Sequence, residues 1–316
     1  MRILFVKTSS LGDVIHHCPA VSDAARHLPG AVIDWVVEDA FAGIVEMHPA
    51  VHRAIPVAVR RWRRAPWRLS VREEFAAFRR LLSGERYDFI VDTQGLLKSA
   101  LISRLARGAR HGYDKRSARE PFASGLYAAR HRVSRKLHAV ERNRRLTAAA
   151  LGYALGASPC DYGLRAPGHS PVDAGGPYCV LLTMTSRTDK LWPEGEWVAL
   201  GKALGREGVR CVLPWGSAIE HARARRIASG LDGAVVPPAL ALAPLGALLS
   251  QARAVVGVDT GLTHLAVALG APTVGVYCSS DPALTGLYGQ ARARNVGGFG
   301  EMPTYGEVLA VLSDLG

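Results

Sequence analysis

The chain has 316 residues, 48% of them hydrophobic, and a net charge of +12 from 39 Lys and Arg against 27 Asp and Glu. That size suits two globular α/β domains, and no stretch approaches the roughly 20 apolar residues of a membrane-spanning helix. Five scattered cysteines without C-x-x-C spacing (Cys18, Cys160, Cys179, Cys211, Cys278) argue against a disulfide framework or zinc site and for reduced thiols in a cytosolic protein.

In chain order, residues 3–6 read as a strand, with an N-terminal apolar run too short for a signal peptide. The strand runs into Lys7-Thr8-Ser9-Ser10-Leu11-Gly12-Asp13, a small polar loop before a helix predicted over 14–28. The loop is neither a G-x-G-x-x-G fingerprint nor a P-loop, so neither a dehydrogenase nor an ATPase is supported. Asp13 reads in two ways: as a charge complementing a helix dipole, or as a general base facing a substrate.

Residues 32–37 and 87–92 read as strands, and 41–47 and 96–105 as helices. Between them lies Arg60-Arg61-Trp62-Arg63-Arg64-Ala65-Pro66-Trp67-Arg68, which Lys98, Arg119, Arg135, Lys136 and Arg142 extend if the fold gathers them. Arg suits phosphate and carboxylate through bidentate bonding. The segment reads as a solvated face or as the seat of an anionic acceptor, with a membrane surface as one source of that charge. No helix-turn-helix, RRM or zinc-finger pattern accompanies it, so nucleic acid is not the expected partner.

Gly163, Pro167, Gly168, Pro171, Gly175, Gly176 and Pro177 punctuate the middle of the chain. Residues 1–165 therefore form a predicted first domain, 166–177 a linker and 178–316 a second domain. The strand–helix alternation then restarts. Strands are expected at 178–183, 209–213, 254–258 and 273–277, and helices at 194–204, 221–228 and 305–315. This pattern predicts an α/β fold of two Rossmann-like, doubly wound domains facing across a cleft.

The second half carries three strand-end loops. Thr185-Ser186-Arg187-Thr188-Asp189-Lys190 places hydroxyls and an ammonium where a diphosphate could sit, or forms a solvated loop opening the next helix. Leu213-Pro214-Trp215-Gly216 with Glu220 offers a carboxylate suited to ribose hydroxyls, or a surface glutamate. Asp259-Thr260-Gly261-Leu262-Thr263-His264 turns a buried strand into a helix and aims backbone N–H groups outward, a seat for phosphate. Neither a D-x-D nor an H-E-x-x-H pattern occurs. A bound nucleotide diphosphate would then be met by helix N-termini and Lys190.

Together these segments resemble the ADP-heptose:lipopolysaccharide heptosyltransferase family, glycosyltransferases of GT-B fold. The likeness covers nearly the whole chain and is carried by Val6-Lys7-Thr8-Ser9-Ser10-Leu11-Gly12-Asp13-Val14, Asp34-Trp35-Val36-Val37-Glu38, Gln94-Gly95-Leu96-Leu97-Lys98-Ser99-Ala100, Ala118-Arg119-Glu120-Pro121, His138-Ala139-Val140-Glu141-Arg142, Leu213-Pro214-Trp215-Gly216 and Val258-Asp259-Thr260-Gly261-Leu262. It implies inverting, metal-independent transfer of L-glycero-D-manno-heptose from ADP-heptose to the first Kdo of Kdo-lipid A, with no cofactor. Asp13 is then the base and Lys190 the group opposite the leaving phosphate. Thr185, Ser186, Asp259, Thr260, Gly261 and His264 hold the donor diphosphate, Glu220 its ribose, and Leu240 its adenine. Ser10, Gly12, Arg60, Arg61, Arg63, Arg64, Lys98 and Arg119 meet the acceptor. The likeness also implies a cytoplasmic protein held peripherally at the cytoplasmic face of the inner membrane.

This chain departs from the family at Ser186, often a second Thr; at Leu240, in place of a Met; and in a short C-terminal helix. The first two changes keep a hydroxyl and an apolar wall. Two alternatives stay open: a related transferase with a different core acceptor, and a non-catalytic nucleotide- or anion-binding protein. An anion-binding loop gains nothing from a carboxylate at Asp13, which speaks against the latter.

Overall fold

The computed structural model describes residues 1–157 and 159–315; Ser158 and Gly316, which fall inside the predicted domain bounds, lie outside the described residues. The chain forms two units, Met1–Gly163 and Leu164–Gly316.

The first unit is built on a six-stranded sheet of β1 (Arg2–Val6), β2 (Val32–Glu38), β3 (Val51–Val57), β4 (Arg86–Asp92), β5 (Arg107–Tyr113) and β6 (Ala129–His131), in the order 3-2-1-4-5-6. All pairings are parallel. A parallel strand is covered on both faces, so its residues read as a continuous apolar run. Ile3, Leu4, Phe5 and Val6 of β1 meet that requirement and are fully buried. Phe78 and Leu82, from the helix Leu69–Gly84, pack with Leu4, Val6, Ile55 and Ile90 on one face.

The helix predicted over 14–28 is two helices, Leu11–Ile15 and Cys18–His27. Pro19 stands in the first turn of the second, where its missing N–H is harmless, and it cannot serve the interior of a continuous helix.

The second unit holds β7 (Tyr178–Leu182), β8 (Arg210–Val212), β9 (Ala254–Val258), β10 (Thr273–Tyr277) and β11 (Ala293–Gly297), again all parallel, in the order β11-β10-β9-β7-β8. Trp192 and Trp197 meet edge to face at 4.8 Å in its core. Trp192 Nε1 donates to the Pro303 carbonyl at 2.7 Å. The C-terminal helix Tyr305–Ser313 buries Val308 and Leu312 in this same core. Its first N–H, from Tyr305, donates to Glu196 at 2.6 Å. The short final helix therefore belongs to the second unit.

In doubly wound sheets ligands collect beyond the carboxyl ends of the strands, where the strand order reverses. That point lies between β1 and β4 in the first unit, and between β7 and β9 in the second.

Candidate active-site residues

At the switch point of the first unit, the loops after β1 and β4 are laced by one carboxamide. Gln94 Oε1 accepts from the Thr8 N–H at 2.6 Å and from the Thr8 hydroxyl at 2.9 Å, while Gln94 Nε2 donates to the Ser9 carbonyl at 2.6 Å. Asp92, fully buried, accepts from the N–H groups of Gln94 and Gly95 at 2.8 and 3.2 Å and from the Tyr127 hydroxyl at 2.8 Å. Burial nevertheless pushes its carboxyl above the usual range. Gly95 adopts φ +67°, and a Cβ there would meet the Tyr113 ring at 3.0 Å, so the turn requires glycine.

This frame presents Asp13 in the first turn of Leu11–Ile15. Asp13 Oδ2 accepts from the Ser10 N–H at 3.0 Å and from its hydroxyl at 3.3 Å, and Arg119 Nη1 stands 3.8 Å away. The Asp13 side chain keeps 28% of its surface exposed, so its other oxygen remains open to a ligand. The helix-start reading is met, since Asp13 closes the first turn through Ser10, and the side chain stays partly exposed to solvent. Lys7 lies buried beneath, donating to the Thr93 carbonyl at 3.1 Å and to Asn143 at 3.5 Å. Burial lowers its pKa, against the opposing pull of Asp13 and Asp92.

The basic segment folds as the helix Val59–Arg64. Its members are not equivalent. Arg61 is spanned by two carboxylates, Asp39 at 2.6 Å and Glu74 at 2.9 Å. Arg60 gives its N–H to Glu38 at 3.0 Å and lays its guanidinium over the Phe41 ring, 5.8 Å from the centroid. Arg63 and Arg64 make no ion pair with a described residue and are exposed. Lys98 donates to the Ser9 hydroxyl at 3.0 Å, and Arg119 reaches Asp13, so both belong with the Asp13 loop. Arg142 turns inward to the Ser117 carbonyl at 2.7 Å and stacks on Tyr113. Arg135 and Lys136 lie in an exposed turn.

In the second unit the centre is Asp259, at the end of β9. Lys190 Nζ donates to Asp259 Oδ2 at 2.6 Å, Ser280 donates to the same oxygen at 2.7 Å, and His264 Nε2 stands 3.8 Å from Oδ1. Burial opposes the charge on Asp259, but the neighbouring His264 and hydrogen bonds from Lys190 and Ser280 outweigh it and hold the carboxyl far below the usual carboxylate range. Thr185, from the loop after β7, donates its hydroxyl to the Asp259 carbonyl at 2.8 Å. Thr260 stands at the N-cap position of the helix Gly261–Ala268 without a side-chain cap bond, and the first N–H groups of such a helix lack intrahelical partners. Thr263 inside that helix donates to the Val258 carbonyl at 2.7 Å.

An ammonium has three protons to donate. Asp259 takes one of Lys190's and fixes its direction, leaving two for a ligand. Ser186 is exposed beside this cluster in sequence. Glu220 opens the helix Ala218–Ala228 and accepts from the Gly216 N–H at 2.6 Å through one oxygen, which leaves the other for a ligand. Leu240 lies half-buried in an irregular segment before the helix Leu242–Ser250.

Sequence reasoning missed Ser280, which follows β10 and is 21 residues from its partner Asp259. Cys278-Ser279-Ser280 at a strand end was its only signal. It also missed Gln94 as the bridge between two loops, although Gln94 falls in a quoted segment. Among the described residues no three His, Cys, Asp or Glu side chains converge as a metal site would require.

The sequence matches the profile of glycosyltransferase family 9 (heptosyltransferase) over residues 75–309. Lipopolysaccharide heptosyltransferase 1 of Escherichia coli K12 is 47% identical over 293 residues, which are 92% of each chain. Among solved structures, E. coli heptosyltransferase WaaC with ADP superposes with a TM-score of 0.94 at 42% identity, covering 100% of both chains. The same enzyme with ADP-2-deoxy-2-fluoro heptose gives a TM-score of 0.91 at 42% identity, also over 100% of both chains.

Proposed function

Since the chain belongs to glycosyltransferase family 9 and has the GT-B type of fold, we propose that it moves heptose from ADP-heptose to the lipopolysaccharide inner core, with the first Kdo of Kdo-lipid A as acceptor. It is a heptosyltransferase. The observation that carries the assignment of groups is the Lys190–Asp259 pair at 2.6 Å on the switch point of the second sheet.

The donor's diphosphate is read onto Lys190, Thr185, Ser186, Thr260, Gly261 and His264. Asp259 serves there by orienting Lys190 and His264 rather than by touching phosphate, which a carboxylate repels. Glu220 takes the ribose and Leu240 lies by the adenine. In the reaction the acceptor hydroxyl oxygen bonds to the anomeric carbon as the bond from that carbon to the β-phosphate oxygen breaks. Asp13 accepts the hydroxyl proton. ADP leaves with its new charge facing Lys190 and the start of Gly261–Ala268, where preorganised donors stabilise it. The base and the phosphate site are assigned to separate units of the chain.

Ser10, Gly12, Arg60, Arg63, Arg64, Lys98 and Arg119 are read as the acceptor side, with Arg61 holding the basic helix in place. Charge on the diphosphate is met by protein groups, so no metal is required. No helix among the described residues is long and apolar enough to cross a membrane. The exposed arginines suit a peripheral contact with an anionic leaflet.

The test is incubation of the purified protein with ADP-heptose and Kdo-lipid A, followed by mass spectrometry of the lipid. A gain of one heptose supports the reading. An unchanged lipid with intact ADP-heptose overturns it, and a gain only on an acceptor already bearing heptose reassigns the acceptor.

A further inference from the structure

The first unit carries a groove of about 530 Å³ whose apolar lining none of the roles above uses. That volume falls within the roughly 300–1,000 Å³ of small-molecule sites. Three helices build it. Val59 and Trp62 come from Val59–Arg64, Val71, Phe75 and Phe78 from Leu69–Gly84, and Leu101 and Ile102 from Leu97–Ser103. In each helix these residues sit at spacings of one, three or four, so each turns one apolar stripe to the same space.

The floor is dry: Val71, Phe78 and Ile102 are 8%, 6% and 7% exposed. The walls are not covered, with Phe75 at 42% and Leu101 at 51% exposed. Trp62 is pinned as a wall by Glu74, which accepts from its indole N–H at 2.8 Å. The charged lining residues, Arg63, Arg72 and Lys98, are all cationic. An apolar slot whose charged lining residues are all cationic complements an amphiphile with an anionic head and a hydrocarbon tail.

One margin residue fixes which amphiphile. Lys98 lines the groove and donates to Ser9, one residue before the Ser10 that holds Asp13. A molecule with its anionic head at Lys98 is therefore delivered to the loop that carries the base.

We propose that this groove binds one acyl chain of the lipid acceptor, so that the enzyme recognises the tail as well as the sugar of its substrate. This rests on the reading of Asp13 as the acceptor-side base. Burying two methylenes is worth roughly a tenfold change in affinity. The groove therefore confers chain-length dependence, which a purely sugar-directed site lacks.

Two measurements test it. The first is calorimetric titration of the full chain with octyl, decyl and dodecyl phosphate below their aggregation concentrations, with inorganic phosphate as reference. Affinity is expected to rise about tenfold per two methylenes, and Leu101→Glu and Phe75→Glu are expected to abolish the rise. Both positions are half exposed, so the variants should fold, which thermal unfolding checks. Equal affinity for all three chains, or chain-length dependence that survives both substitutions, overturns the proposal.

The second is steady-state kinetics with acylated and fully deacylated acceptor. The two variants are expected to raise KM at least about tenfold for the acylated acceptor and to leave the deacylated one unchanged. An equal loss on both acceptors, or loss of vesicle binding with alkyl phosphate binding intact, overturns the proposal in favour of a general packing or bilayer-insertion role. If alkyl phosphates bind as expected but neither acceptor turns over, the groove stands and the acceptor assignment falls.

Discussion

Lys190 and Asp259 lie 69 residues apart and meet at 2.6 Å, bringing the loop after β7 onto the end of β9. Under the proposed assignment, the pair directs a cation at the diphosphate leaving group. Replacing Lys190 by Ala is expected to lower kcat for heptose transfer by about 10²–10³, the range for removing one donor to a developing oxyanion. Steady-state assays with ADP-heptose varied check this, and calorimetry with ADP separates binding from turnover. Wild-type kcat in the variant would move the leaving-group role elsewhere.

The same pair makes stability depend on pH with a definite sign. Asp259 has its folded-state pKa held below the ordinary carboxylate value despite burial, through His264, Lys190 and Ser280. Its contribution is therefore fully present above the ordinary value and is lost as pH falls below it towards the folded-state value. Thermal unfolding between pH 6 and 2 should show a decline in acid that is shallower in Asp259→Asn. Identical curves would show that the carboxylate adds nothing.

Asp13→Asn keeps a side-chain oxygen for the Ser10 N–H but removes the proton acceptor. A fall in kcat of roughly 10²–10⁴ is expected, with donor binding unchanged. Because Asp13 also closes a helix start, stability should fall by about 0.3–1 kcal/mol. Activity per folded molecule near wild type would reduce Asp13 to the helix role.

The arginines should separate. Arg63→Ala and Arg64→Ala are each expected to weaken binding to anionic vesicles by about 1 kcal/mol. Arg61→Ala should do less, since Arg61 is already matched by Asp39 and Glu74. Vesicle co-sedimentation at two salt concentrations measures this, and an equal loss at all three positions contradicts it. Turnover should persist in excess EDTA; complete loss restored by magnesium would place a metal in the reaction.

Gly257 in β9 has no room for a side chain: a Cβ would come within 2.2 Å of the Thr263 hydroxyl and 3.0 Å of Leu182. Gly257→Ala is expected to destabilise the second unit by about 1–3 kcal/mol through overpacking, seen as a lowered Tm. An unchanged Tm would mean that the β9–helix contact is loose.

How far these features could be read beforehand depends on the range of the interactions behind them. Strands β1, β2, β4, β7, β8, β9 and β10 were legible because parallel strands covered on both faces carry runs of buried apolar residues, unbroken in β9 and interrupted by charged residues in β2 and β4. β5, with sequence Arg107-Gly108-Ala109-Arg110-His111-Gly112-Tyr113, was not, since its polar side chains look like a loop. β3 hid behind Pro56, tolerated because β3 is an edge strand paired only with β2. The helix Leu69–Gly84 hid inside the charge-rich stretch after the arginines, with three of its residues buried. The loops bearing Asp13, Lys190 and Asp259 stood out as polar strand ends. Their wiring did not: Gln94 to Thr8, Ser280 to Asp259 and Lys98 to Ser9 are each set by sheet topology.

The residues that orient Asp13, namely Ser10 and Arg119, belong to Met1–Gly163, and those that orient Lys190 and Asp259 belong to Leu164–Gly316. Each set of groups is thus assembled by the folding of its own unit. Under the proposed assignment, preference for a nucleotide sugar and preference for a lipid are separately inherited traits. Lineages can alter one by drift or selection without disturbing the other, and hybrid chains joined after Gly163 should take their acceptor from the first parent and their donor from the second.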